Sequence, residues 1–200
     1  MNDGEPRRAM TTLKERVLDV ILKTGSLVHL DKEIRLASGE MSRDFIDGKL
    51  AVSKAEDLAL IGEAMVSVAN DAAARFEAVG GLVLGSVPFT FAVAQNAGSA
   101  WFLVRKEPKG RGTNRLTEGA RLTKGMPVML VDDVVTTGGS IQLACERVQE
   151  LGAQVVFAST LVDRGDTAKG YFEKRGIPYT PLLTYRDLDI EPVGHGRGIA

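Results

Sequence analysis

Apolar positions along the chain change their period several times, and each change marks an element. Thr12-x-x-Glu15 has the spacing of a capping box, and Val17, Val20 and Ile21 follow at helical intervals. Ser53-x-x-Glu56 repeats the pattern and predicts a second capped helix, with Leu58, Ala59, Gly62, Met65, Val66 and Ala69 on one face. Gly80 to Leu84 is a short apolar run bounded by glycines, which predicts a buried strand. Pro88 suits the first turn of the next helix, where no amide donor is needed. Ala100 to Val104 predicts another strand, and the unbroken run Pro127 to Val131 predicts a parallel strand covered on both faces. Ile141, Ala144, Cys145, Val148 and Leu151 form a helical stripe that Gly152 ends, and Gln154 to Val162 returns as a strand.

This alternation predicts an α/β fold: a largely parallel sheet flanked by helices. In such sheets ligands bind beyond the carboxyl ends of the strands, which directs attention to the residues after Leu84, Val104, Val131 and Val162. The two ends look loose. Residues 1–10 are polar, and Gly194-His195-Gly196-Arg197-Gly198 is too glycine-rich to be expected to pack.

Composition narrows the function classes. A net charge of -1 over 200 residues gives no general nucleic-acid surface. No apolar stretch approaches the roughly 20 residues that cross a bilayer, so no membrane partner is expected. Met1 to Met10 lacks the apolar segment of a secretory signal. Cys145 is the single cysteine, which excludes an internal disulfide and fits a reducing, cytoplasmic setting. It falls on the inward stripe of its helix and reads as a core thiol. His29 and His195 have no partners at metal-ligand spacing, and Trp101 opens an apolar strand and reads as core or interface.

The chemistry concentrates after Val131. There the chain reads Asp132-Asp133-Val134-Val135-Thr136-Thr137-Gly138-Gly139-Ser140 and then enters a helix. The turn offers free backbone amides, hydroxyl donors and the positive end of a helix dipole, which suit a phosphate dianion. Glycine lets the backbone come close. The two carboxylates would repel a phosphate, but they can accept hydrogen bonds from neighbouring hydroxyls, such as those of a ribose, and help place a cation. A structural cap alone would explain a generic Thr-Gly-Gly-Ser turn; two acids directly after an apolar strand decide against it. Neither G-x-G-x-x-G nor G-x-x-x-x-G-K-[ST] occurs.

This segment resembles the phosphoribosyl-pyrophosphate motif of type I phosphoribosyltransferases. The resemblance implies that Asp132 and Asp133 contact the ribose hydroxyls and that Thr136 to Ser140, with Val134 and Val135 leading into them, hold the 5-phosphate of 5-phosphoribosyl-1-pyrophosphate. The basic stretch Arg105-Lys106-Glu107-Pro108-Lys109-Gly110-Arg111-Gly112, closed by Glu118-Gly119, resembles the catalytic loop of the orotate phosphoribosyltransferases. Arg105, Lys106 and Lys109 match that loop, and Arg111 stands where the family usually has histidine. Lys106 and Lys109 are thereby implied as catalytic, with Arg105 and Arg111 as further contacts to pyrophosphate.

Other segments carry the resemblance over roughly residues 30–190. Leu36-Ala37-Ser38-Gly39-x-x-Ser42-x-x-Phe45-Ile46-Asp47 is similar to the segment that covers the base, which implies a small N-terminal hood at about 12–50 ahead of a core at about 53–190, all in one domain spanning 1–200. Phe45 is implied to stack on the base. Ala37 and Lys49 depart from the lysine and arginine common at those positions. Gly85 and Ser86 lie in a stretch similar to the pyrophosphate loop, and Asp163-Arg164 matches a strand end whose arginine binds the orotate carboxylate. A guanidinium can grip a carboxylate with two parallel hydrogen bonds; a surface arginine paired with Asp163 or Asp166 is the competing reading. The family further implies Mg2+, held mainly by the donor's pyrophosphate and water rather than by the chain. It also implies orotate as acceptor and a homodimer whose basic loop is shared between subunits. Two alternatives stay open: a phosphoribosyltransferase for another base, and a donor-sensing regulatory protein without turnover.

Overall fold

The computed structural model describes residues 12–107 and 116–194. The first helix, α1 (Leu13–Thr24), is capped as its spacing predicts: Thr12 Oγ1 accepts from Glu15 N at 3.2 Å, and Glu15 Oε2 accepts from Thr12 N at 2.7 Å. Val17, Val20 and Ile21 are buried beneath it. Strands β1 (Leu27–Arg35) and β2 (Met41–Ile46) then form an antiparallel hairpin, the hood, which stands apart from the main sheet. A single turn, α2 (Gly48–Ala51), capped by Asp47, leads to α3 (Ala55–Asp71). The Ser53 capping box does not form. Lys54 occupies the N-cap with no side-chain hydrogen bond, because the helix starts one residue later than the pattern requires.

The main sheet contains β3 (Ala78–Leu82), β4 (Ala100–Val104), β5 (Thr117–Gly119), β6 (Pro127–Val135), β7 (Gln154–Asp163) and β8 (Leu183–Thr184). Their spatial order is β5-β4-β3-β6-β7-β8, all parallel except for β5. Helix α4 (Val87–Ala97), with Pro88 in its first turn, joins β3 to β4, and α5 (Gly139–Glu150) joins β6 to β7. A short α6 (Thr167–Glu173) follows β7. Two boundaries differ from the sequence expectation. β3 runs from Ala78 to Leu82, because the chain turns away toward α4 after Leu82. β6 runs four residues past Val131, with Asp132, Val134 and Val135 in register with Thr160, Val162 and Asp163 of β7. The acid pair therefore sits on the strand itself and not in the loop beyond it.

Side chains alternate across β6, as a pleated strand requires. Met129 and Val131 pack with α1, α3 and α4, whereas Val128 and Leu130 pack with α5 and α6. Phe89, Phe102, Phe157 and Phe172 are fully buried between these layers. Burial of each contributes about 1.5–3 kcal/mol. Cys145 is a buried core thiol whose pKa burial raises, and Trp101 is half-exposed, edge-on to Phe91 at 4.9 Å.

The topology places the site. The β3-α4-β4 connection runs toward one edge of the sheet and β6-α5-β7 toward the other, so the order reverses between β3 and β6. A crevice opens at the carboxyl ends of strands flanking such a point. Here the two strand ends are close: a Cβ on Gly81 of β3 would fall 2.1 Å from the Val131 carbonyl oxygen.

Candidate active site

Asp132 and Asp133 project to opposite faces of β6 and meet different surroundings. Asp132 is buried, and its Oδ1 accepts from the Asp133 amide at 3.1 Å. Burial, reinforced by the Asp133 charge, pushes its pKa up to about 8, so the carboxyl is largely protonated at neutral pH. Asp133 accepts from the Val134 amide at 2.7 Å and lies 3.8 Å from Lys49 Nζ. Two glycines fit around it. A Cβ on Gly85 would sit 2.7 Å from both Asp133 carboxylate oxygens, and one on Gly48 would sit 2.9 Å from its Cβ. The loop after β3 and the turn α2 therefore close on Asp133, an approach that side chains at those positions would block.

Beyond the acids, Gly138 adopts φ +81° and serves as the N-cap of α5. Only glycine takes up that left-handed geometry routinely, which turns the chain sharply and leaves the first amides of a 12-residue helix facing the crevice. Gln142 Nε2 donates to the Thr137 carbonyl at 3.3 Å and braces the turn. Gly194, expected to be loose, instead packs here: a Cβ on it would lie 2.9 Å from the Thr136 carbonyl oxygen, and its own carbonyl accepts from Thr167 Oγ1 at 3.0 Å.

These parts enclose a cleft of about 260 Å³, lined by Asp132, Val134, Val135, Thr136, Thr137, Gly138, Gly139 and Ser140. Lys106 lines its side, where its charge favours the ionised form of Asp132, and Ala37 and Ser38 of the hood roof it. The cleft thus combines amide and hydroxyl donors, one cation and a buried acid, a set suited to a phosphorylated polyol. Among the described residues, no three acids, histidines or cysteines converge as metal ligands.

The remaining expected site residues lie elsewhere or are otherwise engaged. Arg105 Nε pairs with Glu118 at 3.1 Å. Lys109 and Arg111 lie outside the described residues. Gly85 borders Asp133, but Ser86 is buried and its hydroxyl donates to the Leu82 carbonyl at 2.8 Å. Phe45 is 42% exposed, on the face of β2 opposite to the buried Ser42 and Asp44. Arg164 is 1% exposed, so it is no surface arginine. It donates to the hood, at the Asp44 carbonyl (2.8 Å) and Ser42 Oγ (3.0 Å). Burial lowers its pKa and Asp44 opposes that effect. Asp163 is tied instead to the Gly165 amide at 3.0 Å and the Tyr179 hydroxyl at 2.9 Å, and burial raises its pKa to about 6. Ser42 belongs to the segment expected to cover the base, but its contact with Arg164 was not expected, and Asp44, Gly48 and Tyr179 were not singled out from the sequence as site neighbours. Strict alternation along β2 is the signal that could have marked Ser42 and Asp44.

The chain is similar in sequence and fold to phosphoribosyltransferases. A family model described as a phosphoribosyl transferase domain matches residues 55–179. An orotate phosphoribosyltransferase from Sorangium cellulosum is 38% identical over 195 residues, covering 92% of this chain and 93% of the relative. One from Thermococcus gammatolerans is 33% identical, covering 90% and 93%. The crystal structure of the Mycobacterium tuberculosis orotate phosphoribosyltransferase in complex with 5-phospho-α-D-ribosyl 1-diphosphate superposes with a TM-score of 0.73 at 30% identity, covering 90% of this chain and all of that one.

Proposed function

Because the chain belongs to the orotate phosphoribosyltransferase family, we propose that it transfers the phosphoribosyl group of 5-phosphoribosyl-1-pyrophosphate to orotate, giving orotidine 5'-monophosphate and pyrophosphate in pyrimidine synthesis. The observation that carries this reading is the cleft in which Asp132, the left-handed glycine turn and Lys106 converge, with Asp133 next to Asp132 on β6. The 5-phosphate sits on the amides and hydroxyls of Thr136 to Ser140, where the helix dipole favours negative charge. The ribose hydroxyls lie against Asp132 and Asp133. A largely neutral Asp132 can donate as well as accept, so it can pair with a hydroxyl without carrying a second buried charge.

Bond formation joins the orotate ring nitrogen to the anomeric carbon as the pyrophosphate oxygen departs with the carbon–oxygen electron pair, and the ring-nitrogen proton passes to the departing pyrophosphate. Positive charge grows on the ribose in this step, and the negative charge of the acid pair, carried by Asp133 while Asp132 is largely neutral, stabilises it. Lys106 on the cleft wall neutralises the leaving pyrophosphate. Lys109, Arg111 and, once released from Glu118, Arg105 complete the neutralisation when the loop closes and excludes water. Mg2+, when bound with the donor, would supply further neutralisation of the same pyrophosphate. Gly85 brings the loop after β3 against Asp133, and Arg164 beneath the hood is the counter-charge for the orotate carboxylate. Phe45 belongs to the hood over the base. The active form is a cytoplasmic homodimer in which each basic loop reaches the partner's cleft. A monomer with full activity in sedimentation and rate measurements would contradict the shared loop.

The direct test is to incubate the protein with orotate, donor and Mg2+ and to separate the products. Equimolar orotidine monophosphate and pyrophosphate are expected. Turnover of a purine base in place of orotate overturns the assigned acceptor; donor binding with no turnover on any base overturns the assigned reaction.

A further inference from the structure

The hood meets the core over one buried cation, and we infer that Ser42 and Asp44 are positioning residues that set the Arg164 guanidinium to read the charge on the incoming base. The inference rests on the reading of orotate as that base.

The arginine's main chain is held from both sides. Its amide donates to the Val135 carbonyl at 2.8 Å, and its carbonyl accepts from Val193 N at 2.8 Å. Its side chain therefore leaves from a point fixed relative to the cradle on β6. The far end is held by the hood: Nη1 by the Asp44 carbonyl and Nη2 by Ser42 Oγ. Ser42 and Asp44 can both face it because they are two residues apart on β2, and the hairpin register sets Asp44 opposite His29.

The guanidinium is nevertheless incompletely satisfied. It carries five N–H donors, and its buried Nε has no hydrogen-bond partner. The Asp44 carboxylate comes no closer than 4.0 Å to Nη2, and its other oxygen is taken by His29 Nδ1 at 2.8 Å. A cation so deeply buried favours an anion that can engage Nε and a neighbouring Nη hydrogen side by side, which is the geometry of a planar carboxylate. Ser42 and Asp44 decide which edge of the guanidinium faces the base. A neutral pyrimidine without the carboxylate leaves Nε unpaired, so the same pair of residues contributes to selectivity.

The test uses steady-state kinetics with orotate and with uracil, together with thermal unfolding. Ser42→Ala, which removes the Nη2 acceptor, raises the KM for orotate by about tenfold, the size expected for misplacing a charged hydrogen bond; Asp44→Ala keeps the backbone carbonyl bond and removes only the carboxylate 4.0 Å from Nη2, so it raises that KM by about threefold, and in both the donor KM changes by no more than about twofold. The preference for orotate over uracil falls in parallel. Ser42→Thr restores the hydroxyl and recovers the orotate KM. If an alanine variant does not fold, Ser42→Thr and Asp44→Asn carry the test, with Thr near wild type and Asn raised. Equal losses toward both bases and the donor, tracking a lower Tm, mark a merely structural role and overturn the inference. Arg164→Lys separates the two levels. An unchanged orotate KM in that variant removes the base site from Arg164, whereas a raised one beside normal Ser42 and Asp44 variants removes only the positioning role.

Discussion

Replacing Asp132 with asparagine should make the protein more stable and less able to use its donor. The carboxyl has a pKa of about 8 against an ordinary value of 3.8, raised by burial first and by the Asp133 charge second. Above pH 3.8 the unfolded chain gives up this proton, while the folded chain keeps it until about pH 8. The contribution to stability is therefore intact below the lower value, is lost progressively as pH rises, and levels off above the upper one. At about 1.36 kcal/mol per pH unit, the whole interval sets an upper limit near 6 kcal/mol. Relaxation at the half-open cleft and the shared titration with Asp133 reduce this, and about 2 kcal/mol is a reasonable working figure. Asparagine is nearly isosteric and keeps an oxygen for the Asp133 amide, so it removes the titration without removing that bond. For a chain of this size the gain corresponds to about 4–8 °C in Tm. Scanning calorimetry of both proteins at about pH 5 and about pH 9 should show the larger gap at the higher pH, with roughly a third of it at the lower. No gap at the higher pH, or an equal gap at both, would refute the assignment of a buried, protonated acid.

Three further substitutions probe the cleft. Lys106→Ala should lower kcat by about a hundredfold with Tm unchanged, since it removes a cation aimed at the departing charge; an unaltered kcat in a rate assay takes Lys106 out of the mechanism. Gly85→Ala puts a methyl group 2.7 Å from both Asp133 oxygens. Asp133 must swing aside, and donor KM should rise about tenfold with about 1–3 kcal/mol lost from folding; wild-type values for both would show that the close approach is immaterial. Gly138→Ala forces an alanine into φ +81° and should cost about 1–2 kcal/mol while weakening the hold on inorganic phosphate, measured by calorimetry; undiminished phosphate binding would detach the 5-phosphate from this turn.

The parts of this fold most legible in the sequence were those set by local rules. The Thr12 box, the stripe on α5 and the unbroken run of β6 each announce an element through spacing alone, and the acids followed by a glycine turn announce an anion site. What was not legible depended on partners distant in sequence. Nothing near Ser53 shows that Lys54 will take the cap. β6 extends through the acids because β7 pairs with it as far as Asp163, an interaction no local pattern carries. The surroundings of Arg164 are likewise non-local: its partners Ser42 and Asp44 lie 122 and 120 residues away. The apolar run that suggested a strand through Leu84 ended early because the chain turns there, leaving Leu84 71% exposed.

The cradle on β6 is tested most directly by titrating 5-phosphoribosyl-1-pyrophosphate with Mg2+, in the absence of base, into the wild-type chain and into Asp132→Asn/Asp133→Asn. One donor should bind per chain in the wild type, with affinity lowered at least about tenfold in the double variant. Equal affinity in the two proteins would place the sugar phosphate somewhere other than the acid pair and the turn beyond it.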